Sequence, residues 1–195
     1  MLAVRPDSRY HNFIEIVADA KARPGSVTYA SSGIYGVYHV AMEMLADTAG
    51  ISLLHAPYNG GAPALLALIG GQVDFGLITR SVGASQLKSG KLRPLAAWGD
   101  SRWSDHPNVP SLKDLGHYVD YTLWSGLFAP AGIPPDILQV LRSAVRSAVE
   151  DNDFRDAMAR LGAPMIYLDA PEFQRYWEAD AERLIKAVRK IGRLQ

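Results

Sequence analysis

The stretch Val27-Thr-Tyr-Ala-Ser-Ser-Gly33 decides the fold, because it joins a β-branched and aromatic run directly to small, turn-forming residues. Its first four residues are typical of a buried strand, and the serines and glycine are typical of a turn. Apolar residues at helical spacing follow from about Val37 to Gly50 and predict a helix. Strand, turn and helix in this order form the unit from which parallel sheets are built.

The same unit recurs through the first part of the chain. Four further strands are predicted, at Leu2–Arg5, Leu53–Ala56, Val73–Ile78 and Leu92–Trp98. Helices are predicted between them, at Phe13–Ala20, Ala62–Ile69 and Ser81–Ser89. Strands that alternate with helices indicate an α/β fold, in which a mostly parallel sheet is flanked by helices on both faces.

The pattern changes after Trp98. Gly99–Leu115 contains prolines and polar residues, which predict a long loop with one helical turn at Ser111–Leu115. Strands are predicted at Thr122–Ala129 and Met165–Leu168. The remainder predicts a C-terminal helical segment, with helices at about Asp136–Glu150, Asn152–Leu161 and Pro171–Ile191.

Composition excludes several classes of protein. The chain has 195 residues, with 20 basic and 20 acidic side chains. This zero balance argues against a nucleic-acid or anionic-membrane surface, since both require a basic surplus. The absence of cysteine excludes disulfide scaffolds and thiolate metal sites. No apolar run approaches the roughly 18–20 residues that span a bilayer, and Met1–Asp7 has no signal-peptide pattern.

Candidate binding residues lie where the predicted strands turn into helices. Backbone N–H groups at a helix start can bind a carboxylate or phosphate, and ligands gather at the carboxyl edge of a parallel sheet. The candidates are Ser31, Ser32 and Gly33 in the first turn, Tyr58 and Gly60 in the second, and Thr79 and Arg80 in the third. The serines would serve equally as ordinary helix caps, and Arg80 as a solvated cation.

No catalytic set is evident. The dinucleotide fingerprint, the phosphate-binding P-loop and the nucleophile elbow of α/β hydrolases are all missing. His39 and Glu43 lie four residues apart on a predicted helix, but no third metal ligand has convincing spacing. We therefore expect no enzyme activity, no metal and no cofactor.

Taken in order, the motifs of the chain resemble the Bug-type solute-binding receptors of tripartite tricarboxylate transporters. The resemblance covers almost the whole sequence. It rests on Lys21–Gly25, Tyr29–Gly33, His39, His55–Tyr58, Gly60–Leu65, Gly70–Asp74, Lys88–Arg93, Trp124–Pro130, Ile133–Asp136 and Leu161–Ala163.

This resemblance implies a periplasmic, non-catalytic receptor whose two α/β lobes, of the type II binding-protein kind, close on a small carboxylate. Ligands of the family are di- or tricarboxylates, acidic amino acids or aromatic acids, and its partners are membrane transporter subunits. The turns that contain Ser31–Gly33, Tyr58, Gly60 and Thr79 would supply donors to the ligand. The bulky residues Ile34–Val37 and the cation Arg80 depart from the family pattern.

The resemblance also predicts how the chain is divided. Residues 1–123 would be the second, ligand-binding lobe, and residues 124–195 a crossover strand and helices that pack on a first lobe. No counterpart of that first lobe is in the sequence. The alternative is a truncated homologue that does not bind solute and self-associates, for example as a homodimer, through its exposed C-terminal helices.

Overall fold

A computed structural model describes residues 1–161 and 165–192, which contain five strands and seven helices. The strands are β1 (Leu2–Val4), β2 (Thr28–Ser31), β3 (Leu54–Pro57), β4 (Phe75–Leu77) and β5 (Arg93–Ala96). The helices are α1 (Phe13–Ala22), α2 (Val37–Ala49), α3 (Gly61–Ile69), α4 (Arg80–Lys88), α5 (Pro135–Glu150), α6 (Asn152–Arg160) and α7 (Ala170–Ile191). The chain divides into two compact units, Met1–Thr122 together with the end of the chain from Lys186, and Leu123–Ile185.

The first unit is a five-stranded sheet in the order β3-β2-β4-β1-β5. β2 pairs in parallel with both β3 and β4, whereas β1 pairs antiparallel with β4 and β5. Four strands therefore share one direction and β1 opposes them. The predicted α/β class with a mostly parallel sheet is confirmed, and the reversed β1 refines it.

Helices cover both faces of this sheet, as the alternation of side chains along the strands requires. Leu2, Tyr29 and Phe75 point into one core with α1 and α2. Their strand neighbours Ala3 and Ala30 point into a second core with α3 and α4. Both cores consist mainly of apolar side chains, which pack the helices against the two faces of the sheet.

The second unit contains α5, α6 and most of α7. Their apolar residues recur on one side of each helix, yet no residue of α5 or α6 is buried. Trp124 packs edge-on against Phe173 and donates from Nε1 to the buried carboxylate of Asp180 at 2.8 Å. Arg142 and Arg146 both donate to Asp169 at the start of α7.

Two predicted strands are absent. Neither Thr122–Ala129, which includes the predicted crossover strand, nor Met165–Leu168 is a strand in the structure. A strand needs a neighbour for its backbone hydrogen bonds, and the described part of the second unit offers no sheet. The predicted turn at Ser111–Leu115 is present, with the Leu115 amide donating to the Ser111 carbonyl at 3.2 Å.

Candidate functional site

Three helices begin at one edge of the sheet. β3, β2 and β4 are neighbours and run parallel, so their carboxyl ends lie side by side. α3, α2 and α4 follow these strands directly. Gly83 permits α4 to approach closely, because a Cβ at this position would lie 2.5 Å from Cδ1 of Ile78. The positive ends of three helix dipoles thus share one edge.

These three helix starts differ from the others in chemistry. No side chain caps α2, α3 or α4, and none of the three has an acidic residue in its first turn, all within the described part of the chain. The other four helices each have an acid there: Glu15, Asp136, Asp153 and Glu172. The first N–H groups of α2, α3 and α4 therefore have no carboxylate acceptor from the first turn of their own helix.

Ser31 lies at the end of β2 and is buried. Its hydroxyl lies 2.6 Å from Nε2 of His55 and 3.1 Å from the Gly33 carbonyl, and it accepts from the Gly33 amide at 3.2 Å. The side chain of this predicted ligand residue is thus engaged inside the protein. It fixes the turn that leads into α2.

Ser32 and Gly33 continue that turn and are half-buried. Gly33 has a φ of +134°, a conformation that L side chains rarely adopt. The turn is tight, since a Cβ on Gly36 would lie 3.1 Å from the Gly33 carbonyl and 3.2 Å from the Ser32 hydroxyl. Tyr35 follows with a φ of 56°, the only positive φ of a non-glycine residue among those described.

The second turn lies against the first. The Tyr58 amide donates to the Ser31 carbonyl at 3.0 Å, and a Cβ on Gly33 would lie 3.7 Å from the Tyr58 carbonyl. The Tyr58 phenol donates to Gln72 at 3.1 Å. Gly60, with a φ of +109°, turns the chain into α3. The structure therefore brings together the predicted residues of the first two turns.

The third turn is linked to α2 through Thr79. The Thr79 hydroxyl lies 3.3 Å from the phenol oxygen of Tyr38 and 3.1 Å from the hydroxyl of Ser81. Arg80, the next residue, is engaged elsewhere. Its guanidinium donates to Asp105 at 2.7 Å and stacks 4.1 Å from the ring centroid of Trp103. Asp105 and Trp103 both lie in the loop after β5. Arg80 is thus a paired cation in this structure.

Sequence reasoning named His39 and His55 but did not predict that they pack together behind these turns. His39 and His55 stack face to face, with ring centroids 3.9 Å apart and planes 6° apart. His39 accepts from the Tyr35 amide at 2.9 Å, while Glu43 accepts from the Tyr29 phenol at 2.6 Å. His39 and Glu43 therefore bind different partners. Their four-residue spacing alone had not been sufficient to predict a metal site. The Ser31–Gly33 motif beside two histidines was the available signal.

Comparisons with known proteins are consistent with this architecture. The family model described as the tripartite tricarboxylate transporter family receptor, TctC, matches residues 1–193. The chain belongs to this family. The predicted Bug-type membership is thereby confirmed, and so is the expectation of a receptor fold rather than an enzyme. Among the motifs behind that prediction, Leu161–Ala163 extends beyond the described residues.

Individual relatives cover nearly all of this TctC-family chain. The UPF0065 protein of the gbd 5′ region of Cupriavidus necator is 33% identical over 191 residues, 98% of this chain and 58% of the relative. The periplasmic binding protein BugD is 26% identical with a TM-score of 0.84, over 98% of this chain and 65% of BugD. MatC of Rhodopseudomonas palustris, solved with bound malate, is 25% identical with a TM-score of 0.82, over 96% of this chain and 65% of MatC. The chain thus spans less than two thirds of each relative.

Proposed function

We propose that this chain is the solute-binding part of a receptor for a tripartite tricarboxylate-type transport system. It captures a small carboxylate at the N-termini of α2, α3 and α4. One observation carries the proposal: among the residues that the structure describes, no side chain caps these three neighbouring helix starts, and none of them has a first-turn acid. Such N–H groups need an acceptor from outside the helix, and a carboxylate supplies one at the favourable end of the dipole.

The ligand class is a di- or tricarboxylate, an acidic amino acid or an aromatic acid. With 20 basic and 20 acidic residues the chain has no overall positive field, so capture depends on local donors. A compact dianion can engage two helix starts at once, whereas a single carboxylate engages one. The relative MatC, which has malate bound, makes malate the first ligand to test.

The candidate residues have different roles in the proposed site. Ser32, Gly33, Tyr58, Gly60 and Thr79 face the ligand through backbone or hydroxyl donors. Ser31 supports the turn through its internal hydrogen bonds, because its hydroxyl is already engaged. Arg80 binds a second anionic group only when Asp105 releases it.

The proposal places the chain within a larger receptor. Residues 1–123 act as the second lobe, and residues 124–195 pack on a first lobe of the kind that would fill the relatives' additional length. The receptor works in the periplasm and delivers solute to membrane transporter subunits. The relative BugD, which is described as a periplasmic binding protein, supports this location. Within the described residues, no helix is long and apolar enough to cross a membrane.

The test is isothermal titration calorimetry of the chain with malate, succinate, citrate, glutamate and benzoate. The uncharged diamide of malate is the matched control, since it keeps the carbon skeleton and removes both charges. We expect saturable heat from at least one carboxylate and none from the diamide. No saturable heat from any member of the panel, or equal heat from the diamide, would contradict the proposal.

A second candidate is the truncated homologue that self-associates. It is favoured by apolar side chains exposed on the second unit, with Leu127 at 79%, Phe128 at 65%, Val140 at 65% and Ile166 at 84% exposure. Exposed apolar area of this kind promotes association. This candidate predicts a dimer mass in light scattering together with no stabilisation by any acid in a thermal-shift screen. A monomer that acids stabilise would exclude it.

A further inference from the structure

Four aromatic rings form a column directly behind the first turn. In order they are Tyr29, His55, His39 and Tyr35, with centroid separations of 5.1, 3.9 and 5.9 Å. His39 is 1% exposed, and Tyr29 is fully buried. The column begins inside the sheet and ends at Tyr35, an exposed residue of the turn. It connects the core to the proposed binding edge.

Hydrogen bonds join this column to both ends of the turn. At one end, His55 Nε2 lies 2.6 Å from the Ser31 hydroxyl, and that hydroxyl accepts from the Gly33 amide. At the other end, Nδ1 of His39 accepts from the Tyr35 amide at 2.9 Å. The two histidines thus bind the turn at its two ends, His55 at Ser31 and His39 at Tyr35.

The bond from Tyr35 requires one protonation state of His39. A ring nitrogen that accepts from an amide carries no proton, so His39 is neutral with its proton on Nε2. A second proton, taken up at Nδ1, would turn the acceptor into a donor that faces the Tyr35 N–H. Tyr35 would then lose the contact that helps to hold its φ of 56°, a conformation unfavourable for a non-glycine residue.

Several titratable groups surround the pair. α2 contributes Glu43, β2 contributes the Tyr29 phenol and β3 contributes His55, while the turn contributes the Tyr35 phenol. Burial lowers the pKa of His39, and the Glu43 carboxylate partly opposes this. Burial, with a smaller effect of His39, lowers the pKa of His55 to about 4. Both rings are therefore neutral near pH 7.

We propose that His39 and His55 are positioning residues of the binding turn, and that proton uptake by His39 releases the turn and the solute with it. The inference rests on the proposed carboxylate site. It adds that site's regulation: the turn is held in its binding conformation while Nδ1 of His39 is unprotonated, and acid weakens capture. A folded-state pKa below the unfolded value of about 6.5 places the change on the acid side.

The first test needs no ligand. Amide hydrogen exchange is followed by NMR at about pH 7 and about pH 4, with the Phe75 amide of β4 as the internal reference for global stability. In the wild type we expect protection of the Tyr35 amide to fall about tenfold in acid relative to Phe75, since one hydrogen bond is lost.

Two substitutions make this test specific. His39→Asn places an amide oxygen where Nδ1 was and cannot be protonated, so the Tyr35 amide should stay protected at both pH values. His39→Phe keeps a ring and removes the acceptor, so protection should be lost at both. The inference would be overturned if the Tyr35 amide still lost protection in acid in His39→Asn. It would also be overturned if His39→Phe left the protection of this amide unchanged. If His39→Phe fails to fold, the comparison of Tyr35 amide protection between the wild type and His39→Asn still tests the inference.

The second test measures malate binding by calorimetry across the same pH range. Malate itself gains a proton in acid, and this weakens its binding to the wild type and to His39→Asn alike. His39→Asn therefore serves as the reference. We expect the wild type to lose about tenfold more affinity than His39→Asn. Equal losses would overturn the inference. Absence of binding to any carboxylate near neutral pH would instead contradict the proposed function, and the exchange experiment still tests the positioning role.

Discussion

The phenol oxygen of Tyr38 lies 3.3 Å from Oγ1 of Thr79, which joins the first turn of α2 to the residue immediately before α4. The same ring lies beside the start of α3, since a Cβ added to Gly61 would lie 3.6 Å from Cε2 of Tyr38. One buried side chain on α2 therefore reaches the starts of both α3 and α4. A rigid set of donors loses less entropy when it binds an anion.

Removing the Tyr38 hydroxyl should weaken solute capture without unfolding the chain. Tyr38→Phe keeps the ring against Gly61 and loses the bond to Thr79, so we expect malate affinity to fall by about twofold to tenfold. Calorimetric titration measures it. Tyr118→Phe, at an exposed position, is the control and should bind as the wild type does. An unchanged affinity in Tyr38→Phe would show that the link between α2 and α4 does not matter for binding.

Asp105 should limit the affinity for dianions by neutralising Arg80. In Asp105→Asn the guanidinium keeps its stacking on Trp103 and loses its charge partner, so its attraction for a second carboxylate increases. We expect malate to bind about twofold to fivefold more tightly, with a steeper dependence on salt, as measured by titration at two ionic strengths. Asp7→Asn removes a charge from another exposed pair and should have no effect. Equal or weaker binding in Asp105→Asn would exclude Arg80 from the site.

Asp169 should make the helical unit sensitive to acid. Hydrogen bonds from Arg142, from the Ala170 amide and from Arg146 hold the pKa of this carboxyl well below its usual range. A depressed pKa contributes stability that is present above about pH 4 and is lost as pH falls below it. Asp169→Asn should therefore be less stable than the wild type near pH 7, and the difference should narrow toward about pH 2.

Urea unfolding followed by circular dichroism at several pH values measures this difference. Asp156→Asn on the exposed side of α6 is the control, and its stability should track the wild type across the range. A difference between Asp169→Asn and the wild type that is constant with pH would mean that the carboxylate is not held in its charged form by the arginines.

Much of the sheet could be predicted from the sequence, because apolar periodicity reports which face of an element is buried. The strand at Val27–Ala30 and the helix after Gly36 lie within one or two residues of their predicted bounds. The direction of β1 could not be predicted, since three apolar residues show a strand but not its partner. Thr122–Ala129 has the composition of a strand, and residues 1–161 and 165–192 give it no neighbouring strand to pair with.

The geometry of the candidate site was predictable only in part, for a related reason. Turns at strand ends are visible as Ser-Ser-Gly and Asn-Gly-Gly, and the structure brings the first two of them together. The engagement of Arg80 by Asp105 spans 25 residues and depends on how the loop after β5 returns. The stack of His39 on His55 depends on the register between β2 and β3, which pairs Tyr29 with His55. Spacing along the chain does not reveal such contacts.

In the proposed site an external carboxylate occupies helix starts whose first turns contain no acid. Ala62 lies exposed in the first turn of α3, and Ala62→Asp would give this helix the acid that α1, α5, α6 and α7 already have. Ala62→Asn is the matched neutral control. The most direct measurement is calorimetric titration of both variants with malate, or with the carboxylate of the panel that binds most tightly.

We expect Ala62→Asp to bind that ligand at least about tenfold more weakly than Ala62→Asn, while the helix itself is stabilised by about 0.3–1 kcal/mol through the dipole. Equal affinity in the two variants would overturn the proposed site, because ligand binding would then not depend on the N-terminus of α3.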